Sequence, residues 1–245
     1  VWPMITMGWV INLMQRGTAS LSRIREMLRH PASIAAPDAA LRPVRLSGAI
    51  ELRGVRLAYP AGEALRGVDL TIRAGETVAI AGHTGSGKTS LVTLIPRLLD
   101  PSAGEVLIDG ADARLYDPEA LRRCIAVVPQ ETFLFSMTLA ENIALGAPDA
   151  ARDAILRAVK TAGLEPDLAA MPDVLETVVG ERGITLSGGQ KQRTAIARAV
   201  LRDPSILILD DSLASVDTVT EERILRELTA VMRGRTTLLV SHRVS

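Results

Sequence analysis

The sequence predicts an α/β fold built on a parallel sheet, with antiparallel strands ahead of it and a helical stretch inserted into it. Three observations carry this. The apolar run Thr77-Val78-Ala79-Ile80-Ala81 leads into Gly82-His83-Thr84-Gly85-Ser86-Gly87-Lys88-Thr89 and then Ser90-Leu91-Val92-Thr93-Leu94-Ile95, which reads as strand, tight glycine loop and helix. Ile206-Leu207-Ile208-Leu209 is continuously apolar and ends in Asp210-Asp211, the pattern of a central parallel strand buried on both faces. Alternation at Ile50, Leu52, Val55 and Leu57, then at Leu65, Val68, Leu70 and Ile72 up to Ala74-Gly75-Glu76, marks half-buried antiparallel strands.

Composition narrows the function classes. At 245 residues the chain can bury a substantial core. Lys plus Arg equals Asp plus Glu, 28 each, so no net field recruits nucleic acid and no nucleic-acid partner is expected. Cys124 is the single cysteine. No disulfide can close within the chain, and Cys124 reads as a small residue starting a buried strand.

Taken in order, the chain opens on Val1–Met14, apolar almost throughout, with Trp2 and Trp9 suited to a membrane interface. The run is shorter than the roughly 20 apolar residues that span a bilayer. It lacks the starting Met and basic region of a signal peptide. Two readings stand at this point: the tail of a membrane helix cut by the fragment boundary, or an amphipathic helix packed on a domain. Helical spacing continues at Leu21, Ile24 and Leu28. Residues 31–48, with Pro31, Pro37 and Pro43 and no sustained period, read as a linker. Beyond the glycine loop, Gly104–Gly110 reads as a strand closed by an Asp-Gly turn, and Arg122–Val128 leads a short buried strand into Pro129-Gln130. From Glu131 to Val200 the pattern turns helical, at Asp153–Val159 and from Gln190 to Leu201, which predicts a helical insertion at about 131–200. Thr237-Leu238-Leu239-Val240 is one more buried strand, followed by Ser241-His242.

The chemistry starts from the glycine loop. A triphosphate needs several backbone amides aimed at it, and glycine lets the main chain come close and take φ > 0. Gly82, His83, Thr84, Gly85, Ser86 and Gly87 form that cradle, with Ser90 in the first helical turn. Lys88 reaches β/γ-phosphate oxygens as a point charge, and the Thr89 hydroxyl holds Mg²⁺. Asp210 is placed to hold Mg²⁺ through water, and Asp211 to orient or deprotonate the attacking water. Gln130 either offers its amide oxygen to Mg²⁺ or its water, or is a capped loop residue. His242 either hydrogen-bonds a γ-phosphate or is structural. Tyr59, before Pro60, either packs at the sheet edge or stacks on a purine. Leu186-Ser187-Gly188-Gly189-Gln190 opens a helix as a second anion site, or as a plain capped start. It does not serve phosphates already wrapped by the first loop.

Gly82–Thr89, Gln130, Leu186–Gln190, Ile206–Asp211, Ala214-Ser215-Val216-Asp217 and His242, in this order, resemble the nucleotide-binding domain of ABC transporters. The resemblance implies a P-loop NTPase core with an N-terminal antiparallel β subdomain and an inserted α-helical subdomain. It implies ATP and Mg²⁺ as ligands and ATP hydrolysis as the activity. It also implies a head-to-tail dimer in which Leu186–Gln190 covers the γ-phosphate at the partner's loop, which gives the second anion site its role. In that family Tyr59 matches the adenine-stacking aromatic and Gln130 the loop that senses the membrane domain. Asp217 matches the loop reaching across the dimer, and His242 the switch histidine. Thr177–Gly183 looks like the loop that exporters set against intracellular helices.

Residues 1–30 are similar to the end of the last transmembrane helix and cytosolic extension of multidrug and lipid exporter half-transporters, which selects the cut membrane helix. The implied order is membrane-helix end at 1–30, linker at 31–48 and ATP-binding domain at 49–245, whose family counterparts continue past the switch histidine. The implied partners are a second nucleotide-binding domain, the same transporter's transmembrane domain and the cell membrane, with the ATP-binding domain on the cytoplasmic side.

Asp211 stands where the family has glutamate. A carboxylate one methylene shorter sits roughly 1.5 Å back from the water, and misplacement on that scale costs about a hundredfold in rate. Asp210-Asp211-Ser212-Leu213 resembles one half of heterodimeric exporters with a degenerate ATP site. The expectation is a site that binds ATP and turns over slowly, paired with a second copy or, by this resemblance, a distinct chain bearing glutamate. The rivals are a non-hydrolysing regulatory half and a soluble ABC ATPase of DNA repair or translation. The apolar Val1–Met14 and the neutral charge oppose the latter.

Overall fold

The computed structural model describes residues 2–29, 33–169, 171–180, 185–212 and 218–242, in two compact units, Val1–Ala35 and Ala36–Ser245. The first unit holds a single helix, α1 (Trp2–Arg29), with no buried residue. Trp2 and Trp9 are 82% and 66% exposed. No described helix is long and apolar enough to cross a membrane. The apolar part of α1 gives only about 20 Å of helix against roughly 30 Å of hydrocarbon.

The second unit runs β1 (Ile50–Tyr59), β2 (Gly62–Ile72), β3 (Thr77–Ala81), α2 (Lys88–Leu94), β4 (Ala103–Ile108), β5 (Ala111–Asp112), α3 (Pro118–Arg123), β6 (Ile125–Val128), β7 (Met137–Thr138), α4 (Leu139–Ala144), α5 (Arg152–Thr161), α6 (Glu165–Ala169), β8 (Val178–Val179), α7 (Gly188–Leu201), β9 (Ile206–Asp210), α8 (Thr218–Met232) and β10 (Thr236–Ser241). Strands β2-β1-β4-β5 form an antiparallel sheet, β3-β10-β9-β6 a parallel one, and β7-β8 a two-stranded ribbon. The antiparallel sheet, the parallel sheet and helices α4 to α7 match the layers expected from sequence.

Strand β9 explains why Ile206–Leu209 is apolar without alternation. Ile206 and Ile208 enter one core, with Ile50, Leu52, Leu91, Leu94 and Leu238. Leu207 and Leu209 enter the other, with Ile143, Val159, Leu164 and Ile196 of the helical layer. Both strand faces are covered, so every position is apolar. Cys124 is buried immediately before β6, as expected.

Residues 41–49, where the expected linker at 31–48 meets the domain, are tied to it by hydrogen bonds. The carboxylate of Asp109 accepts the N–H groups of Ser47, Gly48 and Ala49 at 2.7 to 2.9 Å, and Leu41 exchanges backbone bonds with Leu115 and Asp117. The cause is the Asp-Gly turn after β4: Asp109 and Gly110 both take φ > 0, at 49° and 80°, a type I′ arrangement.

Parallel pairing brings the four strand ends to one rim. Ala81 lies opposite Ser241, Asp210 opposite Val240, and Val128 opposite Leu209. Gly82, His242 and Asp211, each the next residue, and Gln130, two beyond Val128, therefore leave the sheet at the same edge.

Candidate functional site

At that rim the glycine loop turns from β3 into α2. Gly85 and Gly87 take φ of 81° and 88°, and Gly87 caps α2. A Cβ at Gly87 would stand 2.7 Å from the Ala64 carbonyl oxygen, so both conformation and space require glycine here. Lys88 Nζ donates to Gly82 O at 2.6 Å, His83 O at 2.9 Å and Ser86 Oγ at 3.4 Å. The ammonium is thus held within its own loop by three oxygens.

A cavity of about 220 Å³ opens beside the loop, lined by Thr84 to Ser90 together with Ala64, Gln130, Asp210, Asp211, Val240 and His242. Gly82 and His83 support the loop without lining this space. Asp210 is buried, and burial pushes its carboxyl above the usual range. A hydrogen bond from Thr89 opposes that shift, the charge of Asp211 adds to it, and Lys88 opposes it. Asp211 takes a left-handed φ of 49° and anchors its N–H on Val240 O at 2.9 Å. Its Oδ2 lies 2.7 Å from His242 Nδ1 and accepts from Gln130 Nε2 at 3.5 Å. Tyr59 lies outside the cavity lining, half exposed, and its hydroxyl donates to Ser90 Oγ at 3.2 Å.

Thr89 and Asp210 offer oxygen ligands already hydrogen-bonded to one another, and the Gln130 amide lines the same cavity. Such a set fits a hard divalent cation that takes its remaining ligands from phosphate and water.

Leu186–Gln190 does not line this cavity. It opens α7, where Ser187 Oγ accepts from Gln190 N and Gln190 Oε1 accepts from Ser187 N, a reciprocal cap. Asp217, the other expected dimer residue, lies outside the described residues, as do Glu181 to Gly183 of the expected membrane-facing loop. Thr177–Gly180 is described and contributes β8.

Sequence reasoning missed Ala64 and Val240, which line the cavity from β2 and β10. It also missed Asp167, whose carboxylate accepts from Gln190 and Arg193; a contact across 23 residues leaves no spacing signal.

A strand, glycine loop and helix beside two strand-end carboxylates on a parallel sheet define a P-loop nucleotide-binding domain. The chain belongs to the ABC transporter family, whose sequence model matches residues 65–214. It is 42% identical, over 100% of its own length, to a probable multidrug resistance ABC transporter ATP-binding/permease protein, YheI, of Bacillus subtilis (strain 168), of which it covers 42%. It is 44% identical over 99% of its length to an ATP-dependent lipid A-core flippase of Methylococcus capsulatus, of which it covers 41%. Among solved structures, a bacterial Atm1-family ABC exporter with ATP bound superposes with a TM-score of 0.87 at 35% identity, over 97% of this chain and 42% of that one. The chain thus spans well under half the length of these relatives.

Proposed function

We propose that this chain is the ATP-binding and hydrolysing part of an ABC exporter, working on the cytoplasmic side of the cell membrane as one member of a head-to-tail pair. The observation that carries the reading is that Lys88, Thr89, Gln130, Asp210, Asp211 and His242 all line one cavity. The exporter relatives, multidrug and lipid A among them, support the transport role. In this reading 1–30 continues a membrane helix, 31–48 connects it, and 49–245 is the ATP-binding domain with a helical insertion at about 131–200.

Loop amides from Thr84 to Gly87, with Ser90, bind the triphosphate, Gly82 and His83 shape the loop behind them, and Tyr59 stacks on adenine. Lys88 exchanges loop oxygens for phosphate oxygens. Thr89, Asp210 and Gln130 would hold Mg²⁺, which when bound would neutralise phosphate charge. Asp211 orients the attacking water and takes its proton on the carboxylate oxygen that His242 and Gln130 leave free. Leu186–Gln190 acts in trans on the partner's γ-phosphate, and Asp217 reaches across the pair. Release of ADP and phosphate reopens the dimer, and the membrane domain reads this through Gln130 and Thr177–Gly183.

Asp211 favours a second reading beside this one: a regulatory half, paired with a distinct chain, whose own ATP holds the dimer closed and turns over slowly or not at all. Single-turnover hydrolysis at this chain's site in the full-length transporter decides between them. The common core of both readings is tested by Lys88→Ala. Loss of ATP binding is expected, and unchanged binding and turnover would refute both.

A further inference from the structure

We propose that Asp167, on α6, is a positioning residue for the Ser187–Gln190 helix start and, through it, for the nucleotide site that this helix completes on a partner. The inference rests on the head-to-tail pairing proposed above. The Gln190 amide has one accepting and one donating end. Its Oε1 accepts the Ser187 N–H at 2.9 Å, and its Nε2 donates to Asp167 Oδ1 at 3.0 Å. Asp167 thereby determines which end of the amide meets Ser187. A half-turn of the amide would set NH₂ against the Ser187 N–H and a carbonyl oxygen against a carboxylate.

Asp167 is itself fixed. Its Oδ2 accepts from Arg193 Nη2 at 2.7 Å, with the two side chains 18% and 11% exposed. Arg193 lies three residues beyond Gln190 on the same helix, so both contacts reach α6 from one face. Among the described residues the Arg193 Nε is buried without a hydrogen-bond partner, and the guanidinium meets Asp167 through Nη2. With Gln190 held, Ser187 stays in its capping conformation. Its Oγ accepts the Gln190 N–H and keeps its own proton to donate. The first amides of α7 have no partner within the helix and point along its axis toward an incoming anion. Freeing Gln190 loosens all of these at once.

The test is the ATP dependence of turnover in the full-length protein carrying Asp167→Ala, beside Ser187→Ala and Ile155→Ala. Ile155 is a core residue of the same helical layer and carries no polar group. Asp167→Ala is expected to raise KM for ATP about tenfold, the scale of one lost helix cap, with kcat within about twofold. Ile155→Ala is expected to lower Tm without moving KM. If Asp167→Ala moves KM no more than Ile155→Ala at equal loss of Tm, the role is structural and the inference falls. If Ser187→Ala changes neither KM nor ATP-driven dimerisation, the pairing reading fails and takes this inference with it. Should Asp167→Ala not assemble, Gln190→Leu removes the amide while sparing the Asp167–Arg193 pair. The same rise in KM is expected there, and an unchanged KM overturns the inference.

Discussion

His242 Nδ1 and Asp211 Oδ2 lie 2.7 Å apart at the ends of two adjacent parallel strands. The contact follows from register. Val240 stands opposite Asp210, and Asp211 turns back with its N–H on Val240 O, so the two side chains leave the sheet at one level. In the proposed reaction, His242 holds the shortened carboxylate where the water must sit. His242→Ala is expected to lower single-turnover hydrolysis about a hundredfold while ATP affinity changes less than about threefold. Quench-flow beside equilibrium ATP binding reads both. An affinity loss as large as the rate loss would mean that His242 only ties down nucleotide.

Asp211→Glu tests the cost of the short side chain. Restoring the methylene is expected to raise turnover at this chain's site, by up to about a hundredfold. A second effect opposes it. Residue 211 has φ of 49°, a conformation that aspartate takes more readily than glutamate, so the faster variant is expected to be less stable by about 1 kcal/mol. Single-turnover rates with thermal melts resolve the two. In the same transporter, neutralising the partner's glutamate is expected to abolish most steady-state turnover. Retention of most of it would refute the asymmetric pair.

Asp210 carries a stability cost with a definite sign. Burial raises its carboxyl above the unfolded value, more than Thr89 and Lys88 lower it, and Asp211 adds to the rise. The folded state therefore prefers the protonated acid. That preference stabilises fully below the unfolded value, near pH 4, and is lost as pH rises through the folded value. Above the unfolded value, burial of this carboxyl is a burden on the nucleotide-free fold. Asp210→Asn is expected to raise Tm at pH 7 without nucleotide, to show no such gain below about pH 4, and to lose the stabilisation that Mg²⁺ and ATP give. Thermal melts from about pH 3 to 8 check this. A lower Tm at pH 7 would mean that Thr89 and Lys88 outweigh burial.

How far the sequence reached depended on the range of the physics involved. Ile206–Leu209 announced a doubly covered strand because both faces are buried, and Gly85 and Gly87 announced the loop because their positive φ is a local demand. Asp210, Asp211 and Gln130 were legible as residues following buried strands. The attachment of residues 41–49, where the expected linker at 31–48 meets the domain, was not legible, because the Asp109 carboxylate that binds Ser47 to Ala49 belongs to a turn about 60 residues away. The β7–β8 ribbon has only two residues per strand, too few for alternation to register. Asp167 carried no motif because its meaning is a contact with Gln190. Local backbone demands and burial periodicity leave a trace in sequence, whereas single long-range polar contacts do not.

Asn142 supplies the strongest stability prediction among such contacts. It is fully buried on α4. Its Nδ2 donates to the carbonyls of Phe135 and Thr138 at 3.0 Å, and its Oδ1 accepts from Phe135 N at 2.9 Å and Arg198 Nη2 at 3.4 Å. Arg198 also donates from Nε to Asn142 O at 2.9 Å, and burial pulls its guanidinium below the usual value. This amide shapes the segment between Gln130 and α4 by satisfying partly buried backbone groups. Asn142→Leu keeps the volume but strands those groups, each costing about 1–3 kcal/mol. A total loss of about 2–4 kcal/mol is expected, or roughly 5–10 °C in Tm. Hydrogen exchange at the Phe135 amide should accelerate with it. A loss below about 1 kcal/mol with unchanged Phe135 exchange would mean that the segment is held by Leu134 and Leu139 in the core, with the amide contributing little.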